Sequence, residues 1–271
     1  MTRLALPNPA RAAGLPPARA GFGSAKAEED LGRGTGAGSV RWVAVVPVKG
    51  SPEAKSRLGD HPERARLAHA FALDTVAALV AASVVERVFV VTADALLAAR
   101  LASLGAVVVR EVAQTAPSGG TRGPSVATHE PTDPLNTAIR QGADAARAAF
   151  PGCGIAVVTG DLPALTTADV EAALALAAAH PRSMVADEEG TGTTALLALA
   201  GVPFGPRFGP GSRAAHEAAG HVPLGLPATA SIRRDVDTVD NLAEALHHGV
   251  GVHTSALVAT AVAADEPRDE T

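Results

Sequence analysis

Two of the chain's three lysines, Lys49 and Lys55, lie within one short stretch with Arg57 beside them, in a protein that otherwise uses arginine, 20 times, as its cation. A lysine is a compact, strongly hydrated point charge, and several together suit a phosphate chain. The plain alternative is a solvated basic loop; the position of Pro47 to Leu58 directly after a first valine-rich run favours triphosphate binding. Two familiar phosphate motifs do not fit. A P-loop ending at Lys55 and Ser56 needs glycine at 49 and 54, where Lys49 and Ala54 stand, and the Gly32, Gly34, Ala37 run precedes the first apolar run instead of following it.

Acidic residues form the second group. Asp161 follows the run Ile155 to Thr159 and precedes Leu162 and Pro163, a place where a carboxylate either holds a hard divalent cation or caps the helix beginning near Thr167. Thr166, Thr167 and Asp169 are closer to that helix start, which favours the metal role. Asp235 and Asp237 flank Val236, and in an extended segment both point to one side. One of them is expected to join Asp161 in a metal clamp, the other either joining too or capping the helix after Thr238.

Two glycine-rich stretches, Asp187 to Thr194 (DEEGTGTT) and Phe208 to Ser212 (FGPGS), permit close approach of backbone N–H groups to an anion, with Thr193, Thr194 and Ser212 adding hydroxyls. Spacing alone leaves them equally readable as hairpin turns. His216 and His221, and the neighbours His247 and His248, lack the partner set of a zinc site, and Cys153 reads as a small buried side chain. No GxSxG elbow is present.

The elements that must position these groups alternate. Valine-rich runs at Arg41 to Val48, Arg87 to Thr92, Ala106 to Arg110, Ile155 to Thr159 and Ser183 to Ala186 have the character of buried parallel strands. Helical stretches are expected at Glu63 to Ala82, with Leu73, Val76 and Val80 on one stripe, and at Ala95 to Leu104, Leu135 to Phe150, Ala168 to His180 and Leu242 to His248. This rhythm is the α/β pattern, in which ligands sit at the carboxyl ends of strands. Gln114 to Pro131 interrupts it with glycines and prolines, as a lid or an ornament.

Composition bounds the rest. A 47% apolar fraction across 271 residues fills a sizeable core, and its alanine and valine bias demands close packing. A net charge of −5 argues against duplex nucleic acid as a partner, and the longest uncharged apolar run, Thr75 to Val85, is too short to span a membrane. A single cysteine fits a reducing cytoplasm. Proline and glycine mark 1–40 as a flexible tail, 41–253 as the working domain and 254–271 as a second tail.

With these motifs in order, the chain resembles the phosphoenolpyruvate or 2-phospho-L-lactate guanylyltransferases of coenzyme F420 biosynthesis. The resemblance runs from Val43 to Val252 and rests on VPVKGSPEAKSRL, VVTAD, PLNTAIRQG, GDLPAL, DEEGTGTTALL, FGPGSRAAHEAAG and DVDTVDNL. It implies a Rossmann-like, mostly parallel mixed sheet flanked by helices, of the nucleotide-diphospho-sugar transferase (glycosyltransferase-A) type. It also implies transfer of GMP from GTP to a small phosphorylated three-carbon acid, with Mg2+ as cofactor. By resemblance Lys49, Lys55 and Arg57 bind the triphosphate; Asp161 with Asp235 and Asp237 holds metal; Thr194, Gly209 and Ser212 hold the acid; Asp94 and Asn136 lie near the guanosine. Phosphoenolpyruvate is the favoured acceptor, with 2-phospho-L-lactate or 3-phosphoglycerate as alternatives, and the product would pass to a downstream transferase. A nucleotide-binding module without catalysis is the rival from another class. Where the family shows a glycine pair before Leu-Asn, this chain has Asp133 and Pro134.

Overall fold

A computed structural model describes residues 40–48, 64–111 and 133–265. Lys49, Lys55 and Arg57, most of the 1–40 segment and the 114–131 insert lie outside the described residues.

The first run forms β1 (Trp42–Pro47), buried at every position, with parallel neighbours on both sides. Its side chains alternate between two cores. Trp42, Ala44 and Val46 face the helices α1 (Arg64–Ala81), α2 (Ala95–Ser103) and α4 (Thr167–Ala177), while Val43 and Val45 face α3 (Pro134–Ala149). The sheet also contains β2 (Val85–Thr92), β3 (Val107–Arg110), β4 (Gly154–Val158), β5 (Arg182–Ala186), β6 (Thr193–Ala198) and β7 (Val222–Pro223). Their order is β3-β2-β1-β4-β6-β5-β7, parallel throughout except for β6, which runs against β4 and β5. The chain steps from β1 to β2 and β3 on one side, then crosses to β4 on the other. The β1/β4 boundary is therefore the switch point of the sheet, outside whose carboxyl ends a crevice opens.

Small residues allow the layers to meet. A Cβ on Gly142 of α3 would stand 2.6 Å from methyl carbons of Val45 and Val91, so this helix lies against the sheet as only a glycine permits. The Asp133-Pro134 pair that replaces the expected glycines starts α3: the Asp133 carboxylate accepts from Leu135 N–H at 2.9 Å, and proline occupies the first turn.

Three sequence expectations are corrected. Thr193 and Thr194 do not sit in a loop; they begin β6, a buried strand (TTALLA) whose leucines and alanines carry no period-two signal because both its faces are covered. Val80 does not share the buried stripe of Leu73 and Val76 but is 41% exposed at the margin of α1. The C-terminal tail does not start at 254. A helix α7 (Val252–Asp265) begins there, because the buried carboxylate of Asp74 on α1 accepts from His253 and Thr254 N–H at 2.9 Å each and caps it from outside its own chain segment. Gly251 is needed at the junction, since a Cβ there would overlap that carboxylate. Helices α5 (Ser212–Ala218) and α6 (Val239–His248) complete the set, and no helix among the described residues is long and apolar enough to cross a membrane.

Candidate active site

The carboxyl end of β4 runs directly into Thr159, Gly160 and Asp161. Three backbone or side-chain contacts fix this turn. Leu162 N–H donates to the buried hydroxyl of Thr75 at 3.1 Å, Gly251 N–H to Pro163 O at 2.8 Å and Val236 N–H to Asp161 O at 3.0 Å. The last of these draws the Asp235–Asp237 segment alongside. Val236 is buried against Leu67, Phe71 and Leu242, so alternation turns its two acidic neighbours the other way. Asp161, Asp235 and Asp237 consequently each offer a carboxylate oxygen within 4.8 Å of the other two, the hard oxygen donor set that a divalent cation such as Mg2+ or Ca2+ takes.

The structure also settles which of these residues caps a helix. Thr166 caps α4, accepting from Asp169 N–H at 3.2 Å, and Thr238 caps α6 in a reciprocal box with Asn241. None of the three aspartates is used for that purpose. Just before Asp235, Ser231 donates from both N–H and Oγ to Asp169, at 2.8 and 2.5 Å; burial alone would raise the Asp169 carboxyl, but these bonds hold it below its usual range. Arg233 then joins the segment to the 187–192 loop, its guanidinium on Asp187 O at 3.0 Å and its carbonyl accepting from Glu188 N–H at 2.8 Å.

The cavity beside the aspartates has a volume of about 730 Å³ and is walled by Thr159, the 187–192 loop with Thr193 at the start of β6, Phe208 to Ser212, Asp235, Asp237 and the start of α6. The 187–192 loop is the turn of a β5–β6 hairpin, knotted around one carboxylate: Asp187 accepts from Thr191 and Gly192 N–H at 2.9 and 2.7 Å. Beside it, Gly209 and Gly211 take φ of +134° and +69°, a backbone that side chains with a Cβ rarely adopt, and deliver the buried Ser212 into α5. Thr194, almost wholly buried, accepts from Thr159 N–H at 2.9 Å through its carbonyl.

Gly209, Ser212, Asp235 and Asp237 line the cavity; Thr194 and Asp161 do not but adjoin it, Thr194 through its bond to the lining residue Thr159 and Asp161 through the carboxylate trio. Asp94 and Asn136 do not line it either. Asp94 caps α2, accepting from Leu97 N–H at 2.9 Å, and its other oxygen lies 3.0 Å from His69 Nε2. Asn136 is buried and holds the backbone of Phe208. Val48, the last described residue before Lys49, packs at Gly160, where an added Cβ would be 3.2 Å from its methyl carbon.

His216 escapes a reading based on metal spacing. It is fully buried, with Nε2 accepting from Arg207 N–H at 2.9 Å and Nδ1 at 3.0 Å from the Thr193 hydroxyl, so the neutral ring carries its proton on Nδ1. Burial, assisted by His221 and Arg207, pushes its pKa down to about 4. The signal that could have located this residue is its place in FGPGSRAAHEAAG, where a histidine one turn into the helix faces back toward the loop.

Comparison with known proteins finds close relatives. The chain is 46% identical over 223 residues to the phosphoenolpyruvate guanylyltransferase of Streptomyces scabiei (strain 87.22), covering 81% of this chain and 97% of that protein. It is 44% identical over 220 residues to the phosphoenolpyruvate guanylyltransferase of Thermomonospora curvata, covering 80% and 89%. No family model matches. Among solved structures, a cytidylyltransferase from Leptospira borgpetersenii serovar Hardjo-bovis superposes with a TM-score of 0.46 at 12% identity, covering 86% of this chain and 99% of that one.

Proposed function

The chain belongs to the phosphoenolpyruvate guanylyltransferase family, and from that membership we propose that its cavity joins GTP to phosphoenolpyruvate, releasing pyrophosphate and enolpyruvoyl-2-diphospho-5'-guanosine. One phosphate oxygen of the acid forms a bond to the α-phosphorus of GTP, the bond from that phosphorus to the bridging oxygen of pyrophosphate breaks, and the electron pair leaves with pyrophosphate. The attacking phosphate is already anionic, so no general base is required.

The obstacle is electrostatic. Like unit charges 4 Å apart repel by roughly 4 kcal/mol at an effective dielectric of about 20, and both reactants are polyanions. The cavity's own walls add Asp187, Glu188, Glu189 and Glu244 to the aspartates. Asp161, Asp235 and Asp237 would hold Mg2+, which when bound supplies charge neutralisation on the triphosphate. Lys49, Lys55 and Arg57, which follow Val48 in the sequence, would add positive charge to the triphosphate. Thr194, Gly209 and Ser212 orient the three-carbon acid, and Asp94 borders the guanosine. Holding the reactants in line lowers the barrier further.

The observation that carries this reading is the meeting of three carboxylates from two distant sequence segments at a cavity that Gly209 to Ser212 also line. The test is incubation with GTP, Mg2+ and one acid at a time. Pyrophosphate release and a guanylylated product are expected with phosphoenolpyruvate and not without an acid; product from 2-phospho-L-lactate or 3-phosphoglycerate alone would reassign the acceptor, and GTP binding without product would leave only a nucleotide-binding module. We propose that the product, a diphosphate diester of two unlike phosphate monoesters, passes to a transferase of coenzyme F420 biosynthesis in the same compartment, the cytoplasm.

A further inference from the structure

The Phe208–Ser212 turn carries two left-handed glycines, and a backbone of that kind has no preferred shape of its own. Something else must hold it. Two buried side chains from separate elements grip its first residues. Asn136, on the first turn of α3, donates from Nδ2 to Phe208 O and accepts at Oδ1 from Phe208 N–H, both at 2.9 Å. The amide thus pairs with Phe208 as a neighbouring strand would. Asn136 is itself oriented by Asp133, whose carboxylate accepts from the same Nδ2 at 2.7 Å. From the opposite side His216 accepts from Arg207 N–H, stands edge-on to the Phe208 ring with centroids 5.1 Å apart, and is tied through Nδ1 to Thr193, the neighbour of Thr194.

We infer that Asn136 and His216 are positioning residues for the acid substrate, fixing the Gly209–Ser212 turn against Thr194. This rests on the reading that the turn binds the acid. It removes Asn136 from the guanosine, because both functional atoms of its amide are engaged within the protein. A loose turn would present the Gly209 backbone and the Ser212 hydroxyl in many arrangements, and each lost fraction of the competent one weakens acid binding in proportion while leaving the nucleotide's contacts alone.

The test is steady-state kinetics of Asn136→Ala, Asn136→Asp and His216→Gln, with KM measured separately for GTP and for phosphoenolpyruvate, alongside thermal melting. Asn136→Asp keeps the acceptor for Phe208 N–H but sets a carboxylate oxygen against the Asp133 carboxylate and Phe208 O, turning two attractive contacts into repulsive ones. The expected result is a rise of tenfold or more in KM for the acid in both Asn136→Ala and Asn136→Asp, with KM for GTP within twofold of wild type in both. His216→Gln reaches the same turn by a different route and is expected to give the same selective rise, so the inference remains testable if Asn136→Ala does not fold. A selective rise in KM for GTP, an equal rise in both, or a lower melting temperature with both KM values unchanged would overturn it. A wild-type protein that makes no product from any of the acids would instead sink the functional reading.

Discussion

At the scale of single residues the site divides into groups that meet the substrates and groups that hold those groups still. Asp161 belongs to the first. Asp161→Asn removes one charge from the carboxylate trio while preserving shape, so turnover is expected to fall below about 1% of wild type with the circular dichroism spectrum and melting temperature nearly unchanged. Normal activity in that variant at ordinary magnesium would refute the metal role. Gly192 belongs to the second group. A Cβ there would overlap the Asp187 carboxylate that knots the hairpin turn, so Gly192→Ala is expected to cost about 1–3 kcal/mol in urea unfolding and to reduce activity. Unchanged unfolding would show that the turn can relax around a methyl group. The carboxylate pair 235 and 237 was legible from the sequence because alternation around a buried valine is a local property. Asn136 was not, since its partner Phe208 lies far along the chain.

Among the elements, α7 has an attachment that reaches the site from a distance. Its capping carboxylate comes from α1, and the same N-terminal junction gives Gly251 N–H to Pro163, two residues past Asp161. Asp74→Ala leaves the part-buried His253 N–H and the buried Thr254 N–H without this acceptor, and a lost cap of this sort costs about 1–2 kcal/mol. We expect lower stability together with faster amide exchange through 251–255 and around the Leu162 turn, while Asp74→Asn, which keeps one acceptor oxygen, is expected to fall between. Exchange confined to α7 would show that the helix is mechanically separate from the metal turn. Propensity signals could not announce α7 as a docked helix, because its mostly small, apolar sequence has no strong amphipathic face and the carboxylate that starts it is on another element.

Across the whole molecule, the buried histidine links folding to pH. Folded His216 stays neutral down to about 4, whereas an unfolded histidine takes up a proton near 6.5, so between these values the unfolded state binds more protons and stability rises with pH. The contribution is present in full above pH 6.5, is lost as pH falls toward 4, and amounts to at most about 3 kcal/mol. His221, also lowered by burial, adds to it with the same sign. Urea unfolding at pH 7, 5.5 and 4.5 should show this decline, with a shallower slope in His216→Gln; stability independent of pH over that range would contradict it.

The sequence by itself determined the parts whose signal is local. These are the valine-rich strands β1, β2 and β4, the helices between them, the placement of acidic and glycine-rich turns at strand ends, and the motifs that mark the family. Only the tertiary structure decided that β6 is an antiparallel strand inserted beside β4, that both aspartates of the 235–237 segment meet Asp161, and that Asn136 serves the Phe208 turn. The reason is the same in each case. A strand covered on both faces loses its alternation, and a hydrogen bond such as Val236 N–H to Asp161 O joins residues whose nearness is created by the packed sheet and appears in no stretch of sequence short enough to carry a period.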